Sequence, residues 1–141
     1  MSNQAIETVK AMMKASNLED YKKVASFFAE DCVYEDVPAG KSCHGKEEVI
    51  AMGKEVHTMF PDHEWEWKSS FGDSDHVATE AVWSGTFTQG NFLGLSPTGK
   101  KTTFRTVSVT ELQDGKIKRN TDYYDLLGMF QQLGIPFQPA N

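Results

Sequence analysis

The sequence predicts an α+β domain, helices first and a sheet afterwards. Three observations carry this. Apolar residues recur at helical spacing over roughly the first sixty residues. From His63 onwards the period drops to two, the mark of half-buried strands. Turn chemistry at Pro38-Ala39-Gly40, Pro61 and Asp114-Gly115 separates the segments. Such an order suits a strongly bent antiparallel sheet wrapped around the helices, a cone with an interior pocket.

Ile6, Val9 and Met13 keep helical spacing, and Leu18, Tyr21, Val24, Ala25 and Phe28 resume it after a break near Asn17. Cys32–Val37 reads as a short strand, closed by the proline turn. A third helix follows Gly45, carries Val49, Ile50, Val56, Met59 and Phe60, and stops at Pro61. His63–Lys68, the stretch around Val77–Phe87, and Thr102–Leu112 alternate as strands. Ile117–Tyr124 follows the turn Gln113-Asp114-Gly115, and a short helix from about Asp125 to Leu133 ends before Gly134.

With 141 residues, 39% hydrophobic and 11% aromatic, the chain reads as one domain, residues 1–141. Its net charge is −6, and Arg105 and Arg119 are its only arginines, a poor footprint for nucleic acid or an anionic membrane. No apolar stretch approaches the about 20 residues needed to span a bilayer. The opening MSNQAIETVK lacks the basic-then-apolar pattern of a signal peptide, so a cytoplasmic protein is expected. Cys32 and Cys43 then read as free thiols. His44, His57, His63 and His76 show no metal-ligand spacing; His57 and His63 straddle a proline and two elements. His44 is expected to shape the loop before the third helix.

Several motifs taken together resemble a known family. Trp83-Ser84-Gly85-Thr86-Phe87 is followed by Gly94-Leu95-Ser96-Pro97-Thr98-Gly99-Lys100. Then come Asp114-Gly115-Lys116-Ile117, Asp122-Tyr123-Tyr124-Asp125 and Gln132-Leu133-Gly134. Their order and spacing resemble the SnoaL-like polyketide cyclases of the nuclear transport factor 2-like superfamily. The resemblance implies a cone-like α+β barrel and an intramolecular aldol condensation that needs no cofactor or metal. It places the family's acid/base aspartate on Asp122 and a second acidic position on Asp125. Histidines of the family pocket correspond to Ser108 and Asn120, a glutamine to Thr106, and an asparagine falls near Tyr34.

Alternation puts Asn120, Asp122 and Tyr124 on one face of the last strand and Arg119, Thr121 and Tyr123 on the other. A three-residue loop with Gly115 left-handed pairs Leu112 with Lys116. Thr106 then opposes Asp122, Ser108 opposes Asn120 and Phe104 opposes Tyr124. On the reverse face Thr103 opposes Asp125, with Arg105 near enough to pair with it. A two-residue loop shifts every partner by one and dissolves this set.

A base beside a carbonyl works best with its pKa raised towards the operating pH. Burial among Phe104, Tyr124, Trp65 or Trp67 would raise that of Asp122. The bland alternative is a structural carboxylate accepting hydrogen bonds from Thr106 and Asn120.

The resulting expectation is a small-molecule enzyme with Asp122 as catalytic acid/base. Tyr34, Thr106, Ser108 and Asn120 orient the substrate, and Trp65, Trp83, Phe104 and Tyr124 line the pocket. Tyr34 is a candidate donor to a developing enolate. The competing readings are a binding module for an apolar ligand or partner protein, and an isomerase or epoxide hydrolase on the same fold. Val107, Val109, Ile117 and Tyr123 form an apolar stripe on the odd-numbered face, so a two-fold homodimer is expected.

Overall fold

In the computed structural model, which describes residues 3–136, the first helix is α1 (Gln4–Asn17). It starts where the Asn3 carboxamide accepts from the backbone N–H groups of Ala5 and Ile6, at 2.9 and 3.2 Å. Ala5, Val9 and Met13 are buried, one side chain per turn facing the sheet. At the other end, the Asn17 side chain grips the backbone of Trp65, donating to its C=O and accepting from its N–H, both at 2.8 Å. That contact occupies backbone groups of Trp65 on the edge strand β3 and fixes where Trp65 points. The second helix, α2 (Tyr21–Ser26), is capped by Asp20.

Phe28 departs from its helical spacing and opens β1 (Phe28–Asp36). Tertiary pairing overrides the local pattern: Phe28 partners Ile117, and the Ile117 N–H donates to Phe27 at 2.8 Å. A second strand, β2 (Lys41–His44), replaces the loop expected around His44. It pairs antiparallel with β1, and four residues are too few to show a period. Gly45, at φ 86°, turns the chain into α3 (Lys46–Met59), which ends just before Pro61 as expected.

The remaining elements are β3 (Glu64–Gly72), β4 (His76–Thr86), β5 (Lys101–Gln113), β6 (Lys116–Tyr124) and α4 (Leu126–Leu133). The strands form one sheet in the order β2-β1-β6-β5-β4-β3, open between its two ends. Every pairing is antiparallel except β1 with β6, which is parallel. Register shifts in β1, β3 and the β5–β6 hairpin bend the sheet around the helices. Two apolar clusters fill the interior. One gathers Val9, Met13, Phe28 and Ile117 beneath α1; the other gathers Phe60, Trp83, Phe87 and Leu133 towards α4.

The β5–β6 hairpin corrects the expected register. Gln113 pairs with Lys116, so the loop is Asp114-Gly115 alone. The ladder then slips again: Leu112 faces Ile117, but Glu111 faces Arg119, leaving Lys118 as an extra residue. Two single shifts add to an even number, so every side chain beyond the bulge returns to its expected face with a different partner. Ser108 opposes Asp122, Thr110 opposes Asn120 and Thr106 opposes Tyr124. The bulge also turns Ile117 inward, where it is fully buried, so it leaves the outer stripe. The Arg105–Asp125 ion pair does not form. Asp125 instead caps α4, accepting from the Gly128 N–H at 2.9 Å.

Candidate functional site

Between the two apolar clusters lies a cavity of about 150 Å³. Helices α1 and α3 roof it with Val9, Met13, Ile50 and Val56, while β1, β5 and β6 supply its polar floor. All nine residues picked from the sequence line it: Tyr34, Trp65, Trp83, Phe104, Thr106, Ser108, Asn120, Asp122 and Tyr124. Trp67 lies elsewhere, its indole N–H donating to Ser70 at 2.8 Å.

Asp122 sits at the centre of the floor and is 6% exposed. Its Oδ1 accepts from the Ser108 hydroxyl at 2.6 Å and the Asn120 amide at 2.9 Å, and its Oδ2 accepts from the Tyr34 hydroxyl. Asn120 is in turn fixed by Thr110, whose hydroxyl donates to its Oδ1 at 2.8 Å. Thr106 is not a donor to Asp122; its hydroxyl points to the Ala81 carbonyl at 3.4 Å. Burial pushes the Asp122 carboxyl above the usual range, and Asp36 nearby adds to the rise. The hydrogen bonds from Ser108, Tyr34 and Asn120 act in the opposite sense without cancelling it. Burial and the adjacent Asp122 together drive the Tyr34 hydroxyl well up, so it stays protonated and remains a donor.

Sequence reasoning missed a second carboxylate. Asp36 lines the same cavity, two residues beyond Tyr34 and therefore on the same face of β1. It accepts from the Ala39 N–H at 3.1 Å and from the Tyr124 hydroxyl at 3.0 Å. Burial raises its carboxyl too. In the parallel ladder Asp36 is the partner of Asp122, and Tyr34 that of Asn120. Each tyrosine thus reaches diagonally to the carboxylate of the neighbouring strand: Tyr34 to Asp122, Tyr124 to Asp36. Asp36 falls inside the strand expected over Cys32–Val37, and the period of two already sets it on the face of Tyr34; what the sequence does not show is that this strand pairs with β6.

An aromatic wall closes one side. Phe60 meets Trp83 edge-on at 5.1 Å, Trp83 stacks on Phe104 at 5.3 Å, and Phe104 stacks on Tyr124 at 4.9 Å between centroids. His63, also missed as a lining residue, stacks on Trp83 at 6.1 Å. The fold brings His57 and His63 together after all, ring to ring at 5.7 Å, and burial lowers the His63 pKa. Among the described residues, no lysine or arginine lines the cavity. What the floor can do is hold a carboxylate in an apolar enclosure, surrounded by fixed donors, and present it to a neutral organic molecule.

Residues 6–133 match the family model described as SnoaL-like polyketide cyclase. Over 48 residues the chain is 35% identical to the aklanonic acid methyl ester cyclase DnrD of Streptomyces peucetius, a match spanning 34% of this chain and 33% of that protein. IdmH of Streptomyces antibioticus, itself only proposed to be a polyketide cyclase, superposes with a TM-score of 0.79. It is 25% identical, covering 94% of this chain and 99% of that one. An LEH-like epoxide hydrolase of M. tuberculosis superposes with a TM-score of 0.75 at 24% identity, covering 92% and 89% of the two chains. That last likeness establishes the fold alone.

Proposed function

The chain belongs to the SnoaL-like polyketide cyclase family, and from that premise we propose that it closes a ring by an aldol-type condensation with Asp122 as the base. The observation that supports this reading is the buried Asp122 carboxylate, gripped by three side-chain donors in a cavity without cations. Asp122 removes a proton from a carbon beside a carbonyl, and the resulting enolate attacks a second carbonyl of the same molecule. Its raised pKa brings its basicity closer to that of the carbon acid. Once Asp122 is protonated, its hold on the Tyr34 hydroxyl weakens, and that hydroxyl can donate to the enolate oxygen. Ser108 and Asn120 keep the carboxyl plane fixed during the transfer.

The same electrostatics narrows the substrate. A buried Asp122 carboxylate beside half-buried Asp36, with no lysine or arginine among the lining residues, repels a free acid, so the molecule that enters is uncharged. An ester fits, and the name of the partial relative from Streptomyces peucetius specifies a methyl ester. The aromatic wall from Phe60 to Tyr124 suits a flat conjugated substrate.

The test is turnover of an acyclic polyketide methyl ester by the wild type and by Asp122→Asn. The variant keeps the size of the side chain and should lose on the order of 10²–10⁴ in turnover while melting near the wild type. A wild type that leaves the ester unchanged, or a variant as active as the wild type, refutes the reading.

A further inference from the structure

We propose that Asp36 is the acid of this cavity: it holds the proton that completes ring closure and delivers it through the Tyr124 hydroxyl, while Asp122 carries the charge. This inference rests on Asp122 acting as the base.

The geometry begins with the ladder. Asp36 and Asp122 are direct partners on adjacent parallel strands, which run about 4.8 Å apart. Both carboxyls face the same cavity. Asp122 is buried and Asp36 half-buried, and two carboxylates in one enclosed site resist ionising together, so the pair shares a single proton. The surroundings decide who keeps it. Asp122 accepts from three side chains, Tyr34, Ser108 and Asn120, each of which stabilises the anion. Asp36 has one side-chain donor, Tyr124, and one backbone donor, the Ala39 N–H. The remaining charged group acting on Asp36 is Lys41 of β2, the weakest of the influences on it. Burial raises both carboxyls, in keeping with a site that holds one charge rather than two.

Tyr124 donates to Asp36 when the carboxylate is ionised; with the proton on Asp36 the direction of that bond reverses, and the Tyr124 O–H is free to turn towards the cavity. Burial pushes the tyrosine's own ionisation up, so it passes a proton on only as it receives one. In the reaction, Asp122 takes the proton from carbon, and the C–H pair becomes the enolate. The enolate carbon bonds to the second carbonyl carbon, whose π pair moves onto oxygen. That alkoxide takes the Tyr124 proton as Tyr124 takes the one on Asp36. The product leaves as a neutral hydroxyketone. The enzyme is left with Asp122 protonated and Asp36 ionised, and one proton transfer between the two carboxyls restores it. No co-reactant is consumed.

Infrared difference spectroscopy tests the resting state without any substrate. In mildly acidic buffer, above the ordinary carboxylate range, the wild type should show one buried protonated carboxyl. Asp36→Asn should abolish that signal, whereas Asp122→Asn should keep it and move its midpoint to lower pH, because the neighbouring charge is gone. Absence of the signal, or its loss in Asp122→Asn and survival in Asp36→Asn, overturns the assignment. Kinetics supply the second arm. Asp36→Asn should lower kcat on the order of 10²–10⁴ with little change in KM. Tyr124→Phe, which keeps the stacked ring, should lower kcat in the same direction and covers the case in which Asp36→Asn fails to fold. If the Asp36 and Tyr124 variants turn over like wild type while Asp122→Asn does not, Asp36 is no acid and the base reading stands. If the Asp122 variant also turns over like wild type, both readings fall.

Discussion

Ser108 lies directly across the β5–β6 ladder from Asp122, and its hydroxyl donates to Oδ1 at 2.6 Å. A donor in that position lowers the cost of charge on the carboxylate, so its removal should raise the Asp122 pKa further. Ser108→Ala is expected to shift the acidic limb of the pH–rate profile to higher pH, with a smaller effect on the plateau. A profile that stays in place would show that the serine does not tune the base.

The extra residue at Lys118 decides which face Asn120, Asp122 and Tyr124 occupy. Deleting Lys118 should therefore invert those three residues or force the hairpin to slip, with loss of cooperative melting and of turnover. Lys118→Ala leaves the backbone count intact at an exposed position and should stay within about 0.5 kcal/mol of wild type. Equal damage from both changes would mean that the side chain, not the count, matters.

Asp36 and Asp122 are both raised above the ordinary carboxylate value of 3.8. A raised folded-state pKa means that the native protein holds its protons more tightly than the unfolded chain does. The contribution to stability is therefore complete below the unfolded value and is lost as pH climbs through the folded one. Melting temperature measured across this acidic-to-neutral window should show that decline on top of the titration of surface groups. Asp36→Asn should flatten it and raise the melting temperature at neutral pH relative to wild type. A variant with an unchanged slope would remove Asp36 from the linkage.

Val107, Val109 and Tyr123 remain exposed together on the outer face of the sheet, even with Ile117 turned inward. We propose that a second copy of the chain covers them in a two-fold dimer. Sedimentation at micromolar concentration should then give twice 15.8 kDa, and Val107→Glu should give 15.8 kDa. A wild type that sediments as the smaller species excludes the dimer.

The helices and long strands were legible because their apolar periods run for many residues, as in α1 or β5. The cavity faces were legible for the same reason: alternation alone puts Asn120, Asp122 and Tyr124 together. What stayed hidden depends on contacts between distant segments. The parallel pairing of β1 with β6 pulls Phe28 out of a helical pattern and sets Asp36 beside Asp122. Nothing near Lys118 announces a bulge, since its neighbours Ile117 and Arg119 suit either face until the partner strand is known. Asp125 was expected beside Arg105 because the cap it makes instead depends on where α4 begins.

Trp83 stacks with both His63 and Phe104, its ring nearly parallel to each and only 6% exposed. An indole so enclosed has emission set by the cavity rather than by bulk water. Any molecule that displaces solvent from the aromatic wall will change its colour or brightness, and protonation of the stacked imidazole will quench it. The protein therefore carries an optical gauge inside its own chamber, through which compounds can be screened for entry before any reaction product has been identified.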